Sequence, residues 1–160
     1  LMVPKFETYD DIKISSSRIR NLLNKGDIIG ARECLGRDYM LSGTVVSGEK
    51  LGRKLGYPTA NIRLEYDYPL DGVYLTRTVI EEKNYVGLAS LGNKPTFNGS
   101  EKILEVFILD FDEDIYSQNI EVHFLEEIRK QIKFSNQDEL IKQMTEDHKY
   151  AIINSKKYGI

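Results

Sequence analysis

The hydrophobic period of this chain changes at about Met40 from helical to alternating, and that switch limits the possible folds more than any other feature. Downstream, β-branched and aromatic residues cluster between glycine- and asparagine-rich breaks. This predicts strands near residues 40–47, 72–80, 84–91, 102–111 and 119–128. The connections Glu81-Glu82-Lys83-Asn84 and Asp112-Glu113-Asp114 are short enough for hairpins, so the sheet is expected to be antiparallel. Five or six such strands predict a small closed barrel, and 160 residues leave room for one domain of that size with a short appendage. A last helix is predicted after Phe134-Ser135-Asn136-Gln137-Asp138. Ser135 is its expected cap, and Leu140, Ile141, Met144, Ala151 and Ile152 form the apolar stripe that packs on the barrel.

Residues 1–36 are polar, helical in their punctuation, and read as the appendage. A serine of Ser15-Ser16-Ser17 can cap a helix carrying Ile19, Leu22 and Leu23 and stopped by Gly26; Asp27 can cap a second helix ending near Gly36. With 22 basic against 25 acidic residues, affinity for a phosphate backbone is not expected, which argues against a nucleic-acid partner. The sequence has neither an apolar run long enough to span a bilayer nor a signal-peptide layout at its start, so a soluble cytoplasmic protein with no membrane partner is expected. The single cysteine, Cys34, excludes an internal disulfide. His123 is expected on a solvated strand face, while Asp147 and His148 fall on the polar side of the last helix.

The most unusual stretch runs from Gly48 to Asn61. Gly48, Gly52 and Gly56 recur at four-residue spacing between Lys50, Arg53 and Lys54, giving a cationic loop whose backbone N–H groups can approach a polyphosphate. An exposed basic turn would have the same composition. The loop is not a Walker A motif, since Gly52 is followed by Arg53 and Pro58 discourages a helix. If Pro58-Thr59-Ala60-Asn61 is extended, Thr59 and Asn61 project to one side. A hydroxyl and an amide oxygen suit a Mg²⁺ that takes its negative charge from substrate phosphates; the same two side chains could equally satisfy a turn backbone.

Glu105 is the lone carboxylate in a strand that is apolar on both faces. It sits either at a barrel rim or partly desolvated, where it would suit a general base. Arg129 could touch a ligand at the barrel end or merely snorkel at a sheet edge. Gly92-Asn93-Lys94-Pro95-Thr96-Phe97-Asn98-Gly99 reads as a long turn-rich loop of the kind that covers ligands, or as a plain connection.

Taken together, Gly52-Arg53-Lys54-Leu55-Gly56-Tyr57-Pro58-Thr59-Ala60-Asn61, Pro69-Leu70-Asp71-Gly72-Val73-Tyr74, Leu91-Gly92-Asn93-Lys94-Pro95-Thr96-Phe97 and Glu105 ahead of Ile108-Leu109-Asp110-Phe111 closely resemble the riboflavin kinase family over residues 38–152. The resemblance implies a six-stranded antiparallel Greek-key barrel with a C-terminal helix, residues 153–160 forming a tail. It also implies ATP-dependent phosphorylation of the riboflavin 5′-hydroxyl to give FMN. Carried over by position, Thr59 and Asn61 would hold Mg²⁺, Glu105 would accept the hydroxyl proton, and Gly48, Lys50, Gly52, Arg53, Gly56 and Pro58 would wrap the nucleotide. Asn93 and Arg129 would lie on the flavin side. Lys13-Ile14-Ser15-Ser16-Ser17-Arg18-Ile19-Arg20 resembles the closing motif of the FMN adenylyltransferase domain that precedes this kinase in bacterial FAD synthetases. That domain also needs an upstream histidine motif, and both histidines lie beyond position 120, so kinase activity without FAD synthesis is expected, from a C-terminal piece of a longer protein. The competing reading is a flavin- or nucleotide-binding barrel that performs no transfer.

Overall fold

A computed structural model describes residues 14–48, 51–96 and 99–160. Among these, six strands close an antiparallel barrel: β1 (Tyr39–Val46), β2 (Thr59–Arg63), β3 (Gly72–Ile80), β4 (Lys83–Thr96), β5 (Gly99–Ile108) and β6 (Asn119–Arg129). Their order around the barrel is β1-β2-β5-β4-β3-β6. β3, β4 and β5 follow one another, and β6 returns to lie beside β3, which is a Greek key. Alternation fills the interior: Ile62, Tyr74, Leu104, Val106, Ile120, Val122 and Phe124 are fully buried in one cluster, with the Tyr74 and Phe124 rings edge to face at 5.3 Å.

The β3–β4 turn is the expected tight hairpin, with Glu81 (φ 47°) and Glu82 (φ 66°) both left-handed as a two-residue turn requires. The expected hairpin at Asp112–Asp114 does not form. β5 pairs with β2 and β4, and β6 pairs with β1 and β3, so residues 109–118 cross the barrel instead. Strand alternation locates strands but leaves their order open, and Ile115, buried in the interior cluster, ties this crossing to the core. The stretch from Gly92 is likewise not a loop up to Thr96. β4 runs through it in register with β5 (Asn93↔Lys102, Pro95↔Ser100), because backbone pairing continues after the apolar alternation ends at Leu91.

α1 (Ser16–Asn24) and α2 (Ile28–Leu35) begin as expected, with Ser15 accepting from the Arg18 N–H at 3.2 Å and Asp27 from the Gly30 N–H at 2.8 Å. They are built into the barrel: Leu23, Ile28 and Ala31 are at most 2% exposed and belong to the interior cluster. Arg32 Nε and Arg77 both reach Asp38 at 2.7 Å, tying α2 and β3 to the start of β1.

A single turn, α3 (Leu51–Lys54), precedes β2, and the long α4 (Gln137–Ser155) covers the outside of the sheet. Asn136, rather than Ser135, caps α4; its side chain accepts from the Glu139 N–H at 2.9 Å, while the Glu139 carboxylate accepts from the Ser135 N–H at 3.0 Å. Ala151 packs with Leu75, Leu88, Leu109 and Leu125, whereas Ile152 is 49% exposed. At 3.6 residues per turn the inward stripe is Leu140, Met144, Asp147 and Ala151, and Ile152 is rotated off it. Beyond α4 a 3-10 turn (Lys156–Tyr158) brings the Tyr158 hydroxyl to Glu126, which also accepts from Tyr150, each at 3.0 Å.

Candidate active site

Directly opposed residues of antiparallel strands project to the same face. The registers Asn61↔Glu105, Glu105↔Ser90, Ser90↔Val73 and Val73↔Arg129 therefore lay one row of side chains across β2, β5, β4, β3 and β6. The next row carries Thr59↔Phe107↔Leu88. Both rows face outward from the core, as β5 shows: Leu104 and Val106 are fully buried, while Ile103, Glu105 and Phe107 are only half-buried. Between this face and α4 lies a cavity of about 330 Å³. Thr59, Asn61, Ser90, Glu105, Arg129, Gln131 and Asp147 are among its polar lining; Leu55, Val73, Leu88, Phe107, Phe134 and Met144 are among its apolar walls.

The glycine-rich loop forms one rim of this cavity. α3 closes on itself through the N–H groups of Leu55 and Tyr57, which donate to the Gly52 carbonyl at 3.0 and 2.8 Å. Gly56, at φ 85°, makes the left-handed turn that sends the chain into Tyr57-Pro58. Tyr57 fastens the loop to α4, with its hydroxyl 2.9 Å from Thr145 Oγ1 and its ring edge-on to Phe107 and His148. Gly48 has to lack a side chain, because a Cβ there would collide with the Asn61 amide. A second cavity of about 440 Å³ lies on the other side of the loop, lined by Arg53, Pro58, Phe111, Asp112, Glu113 and Tyr116, among others. Thr59 lines both cavities.

The sequence-predicted residues thus divide. Gly52, Thr59, Asn61, Glu105 and Arg129 meet at the first cavity, Arg53 and Pro58 at the second, and Gly48 backs Asn61. Asn93 is placed on β4 opposite Lys102, and its side chain lies outside the described structure. Lys13, Lys50, Phe97 and Asn98 lie outside the described residues, as does the Lys54 side chain.

Arg129 lines the first cavity and does not snorkel. It is clamped by Asp147, with Nε 3.1 Å from both carboxylate oxygens and Nη2 2.7 Å from Oδ2, and these side chains are 16% and 5% exposed. Gln143 gives Asp147 a further hydrogen bond at 2.9 Å, and the Phe134 ring lies 6.0 Å from the Arg129 guanidinium. Asp147 and His148 therefore do not sit on a polar helix face. Asp147 is buried in the inward stripe, and the His148 ring is edge-on to Phe107 at 5.7 Å. The signal for Asp147 was its spacing, three residues after Met144 and four before Ala151. Ser90 and Gln131 were also missed: Ser90 enters the site through strand register and Gln131 through its side-chain bonds to β3 and β4, neither of which local sequence encodes.

Several chemical properties follow from this arrangement. A carboxylate stands beside a neutral hydroxyl and a neutral amide in a cavity with apolar walls, and the glycine-rich loop separates that cavity from a second one. Among the described residues no group of three or more His, Cys, Asp or Glu could hold a metal, so a cation here would need ligand oxygens beyond the protein's carboxylates. No helix of the described residues is long and apolar enough to cross a membrane.

Comparison with known proteins agrees with this architecture. The family described as "Flavokinase: Riboflavin kinase" matches residues 35–153. The chain is 41% identical over 140 residues to the bifunctional riboflavin kinase/FMN adenylyltransferase of Haemophilus influenzae, covering 86% of this chain and 46% of that protein. To the protein of the same name from Bacillus subtilis it is 38% identical over 156 residues, covering 94% and 49%. It spans about half the length of the curated relatives it matches. Among solved structures, a Streptococcus pneumoniae protein described as a macrolide-efflux protein superposes with a TM-score of 0.84 at 39% identity, covering 93% of this chain and 49% of that one. Riboflavin kinase from Trypanosoma brucei superposes with a TM-score of 0.55 at 25% identity, covering 74% and 80%. With the barrel, the proline-threonine-alanine-asparagine strand and the glutamate opposite it in place, the chain belongs to the riboflavin kinase family.

Proposed function

We propose that this chain transfers the γ-phosphoryl group of ATP to the 5′-hydroxyl of riboflavin, giving FMN and ADP. The observation that carries the reading is the meeting of two cavities at Thr59, with Asn61 and Glu105 opposed beside it. In this reading the flavin ring lies in the first cavity against Phe107, Leu88, Phe134 and Met144, while the nucleotide occupies the second along Arg53 and the glycine loop. Glu105 accepts the proton of the attacking hydroxyl. As that oxygen bonds to the γ-phosphorus, the bond from phosphorus to the β–γ bridging oxygen breaks and ADP leaves. Arg129 and the start of the β4–β5 hairpin at Asn93 lie on the flavin side.

The residues at Thr59 and Asn61 suit a hard divalent cation, for which we propose Mg²⁺. Asn61 directs its Nδ2 toward the Thr59 carbonyl at 3.4 Å, leaving its Oδ1 for a ligand, and the side-chain-free Gly48 gives that amide its room. A bound cation would neutralise charge on the triphosphate; the chain's own part is to orient the two substrates and exclude water. A cytoplasmic location, where ATP is available, is part of this proposal. FMN is the product proposed for these residues; the FMN adenylyltransferase activity in the relatives' names belongs to proteins about twice this length.

Incubation with riboflavin, ATP and Mg²⁺, followed by chromatography for FMN, tests the reading. Formation of FMN is expected. Its absence under conditions where both ligands bind would leave a binding barrel and overturn the proposal.

A further inference from the structure

The segment between β6 and α4 carries Phe134 to the first cavity, yet among the described residues no backbone–backbone hydrogen bond anchors residues 130–134. Besides the Arg129 Nη1 bond to the Lys130 carbonyl at 3.1 Å, its hydrogen-bonded tether to β3 and β4 is the side chain of Gln131. Gln131 Nε2 lies 3.3 Å from the Gly72 carbonyl, 3.0 Å from Ser90 Oγ and 3.1 Å from the Leu91 carbonyl, so one amide addresses acceptors on two adjacent strands. Gly92 keeps that seat open: a Cβ there would stand 3.0 Å from Nε2 and 3.3 Å from Cδ. Gln131 and Ser90 both line the cavity, and Ser90 is the residue opposite Glu105. A side chain that is itself exposed thus holds the wall of the cavity in place.

We propose that Gln131 is a positioning residue for riboflavin: its amide latches the segment after β6 onto β3 and β4 and so fixes the wall, with Phe134, on which the flavin ring rests. The proposal rests on the reading of the first cavity as the riboflavin site. A glutamine suits the task because all three partners can accept, and an NH₂ group supplies two donors to share among them. A carboxylate at this position would face the Gly72 and Leu91 carbonyls with acceptors only.

Two measurements on the purified chain test it. Riboflavin affinity is read from quenching of flavin fluorescence, and backbone ¹⁵N order parameters at residues 130–136 read the latch without ligand. Gln131→Ala is expected to weaken riboflavin binding about tenfold, the equivalent of one or two hydrogen bonds, and to lower the order parameters of this segment. Gln131→Glu should be no better than Ala, and ADP affinity should stay within about twofold of the parent because the second cavity does not touch Gln131. Unchanged order parameters at 130–136 in Gln131→Ala overturn the latch, and so does an equal loss of riboflavin and ADP affinity, which would mark a general loosening. Lower order parameters with unchanged riboflavin affinity overturn the positioning role. Failure of the parent chain to bind riboflavin would instead defeat the functional reading, and the order parameters would still decide the latch.

Discussion

Asn61 and Glu105 stand directly opposite each other where β2 pairs with β5, so an amide and a carboxylate project side by side from two strands distant in sequence. Such a pair suits a metal-linked phosphate on one side and a hydroxyl proton on the other. Glu105→Gln keeps the shape and removes the carboxylate proposed as the base. It is expected to lower kcat by about 10² to 10⁴ while riboflavin and ATP still bind, as steady-state kinetics with parallel binding titrations would show. Turnover surviving within a few-fold would remove Glu105 from the role of base.

The neighbouring Thr59 and Asn61 should separate from Glu105 in their effect. Thr59→Ala combined with Asn61→Ala removes the two neutral oxygens, so affinity for ATP measured with Mg²⁺ should fall by about tenfold or more, and affinity measured with EDTA should change little. Equal losses with and without the metal would mean that the pair contacts nucleotide or maintains the loop rather than holding a cation.

Much of this arrangement was legible in the sequence, and what was not has a physical cause. Interior strand residues such as Leu104, Val106, Ile120 and Val122 follow from period-two alternation, and the caps at Ser15 and Asp27 follow from side-chain chemistry. Thr59 and Asn61 share a face because they are two residues apart on one strand. The crossing of residues 109–118, by contrast, depends on strand order. The entry of Ser90 into the site depends on the register of β4 with β5, and that of Gln131 on side-chain bonds to residues 40 to 59 positions earlier in the chain. Asp147 shows a third kind of failure: a charge on an apolar stripe looks like a helix surface until its partner, 18 residues away on β6, is known.

That partnership makes a stability prediction. Arg129 and Asp147 are largely removed from water, so deleting one leaves the other buried and uncompensated. Asp147→Ala should cost about 3 to 5 kcal/mol in urea denaturation. Adding Arg129→Met should restore a substantial part of the loss, since the uncompensated charge goes with it. Additive losses in the double variant would mean that the two side chains act independently.

A second stability prediction concerns the barrel interior. Thr76 and Thr78 are fully buried, and neither Oγ1 has a hydrogen-bond partner among the described residues; a Cβ on Gly87 would stand 2.6 Å from both. Gly87→Ala should therefore cost about 1 to 3 kcal/mol through overpacking. Thr78→Val, which replaces an unpartnered hydroxyl with a methyl of similar size, should be neutral or slightly stabilising. Chemical denaturation of the two variants checks both signs, and a large loss in Thr78→Val would reveal a hydrogen bond to that hydroxyl.

The C-terminal turn should make stability depend on pH in the alkaline range. Burial, then the hydrogen bond to Glu126 and its charge, push the Tyr158 hydroxyl from 10.0 up to about 12; burial, then Tyr68, does the same for Tyr39. An unfolded tyrosine loses its proton near 10, whereas these keep theirs to about 12 in the folded chain. Between those values the unfolded state holds fewer protons, so this contribution to stability is complete below pH 10 and declines as pH rises toward 12. Tyr158→Phe has no proton to lose there. It should melt below the parent at pH 8, having given up the bond to Glu126, and the gap should narrow steadily as pH rises through this window. A constant gap in thermal melts across the whole range would show that Tyr158 does not carry the dependence.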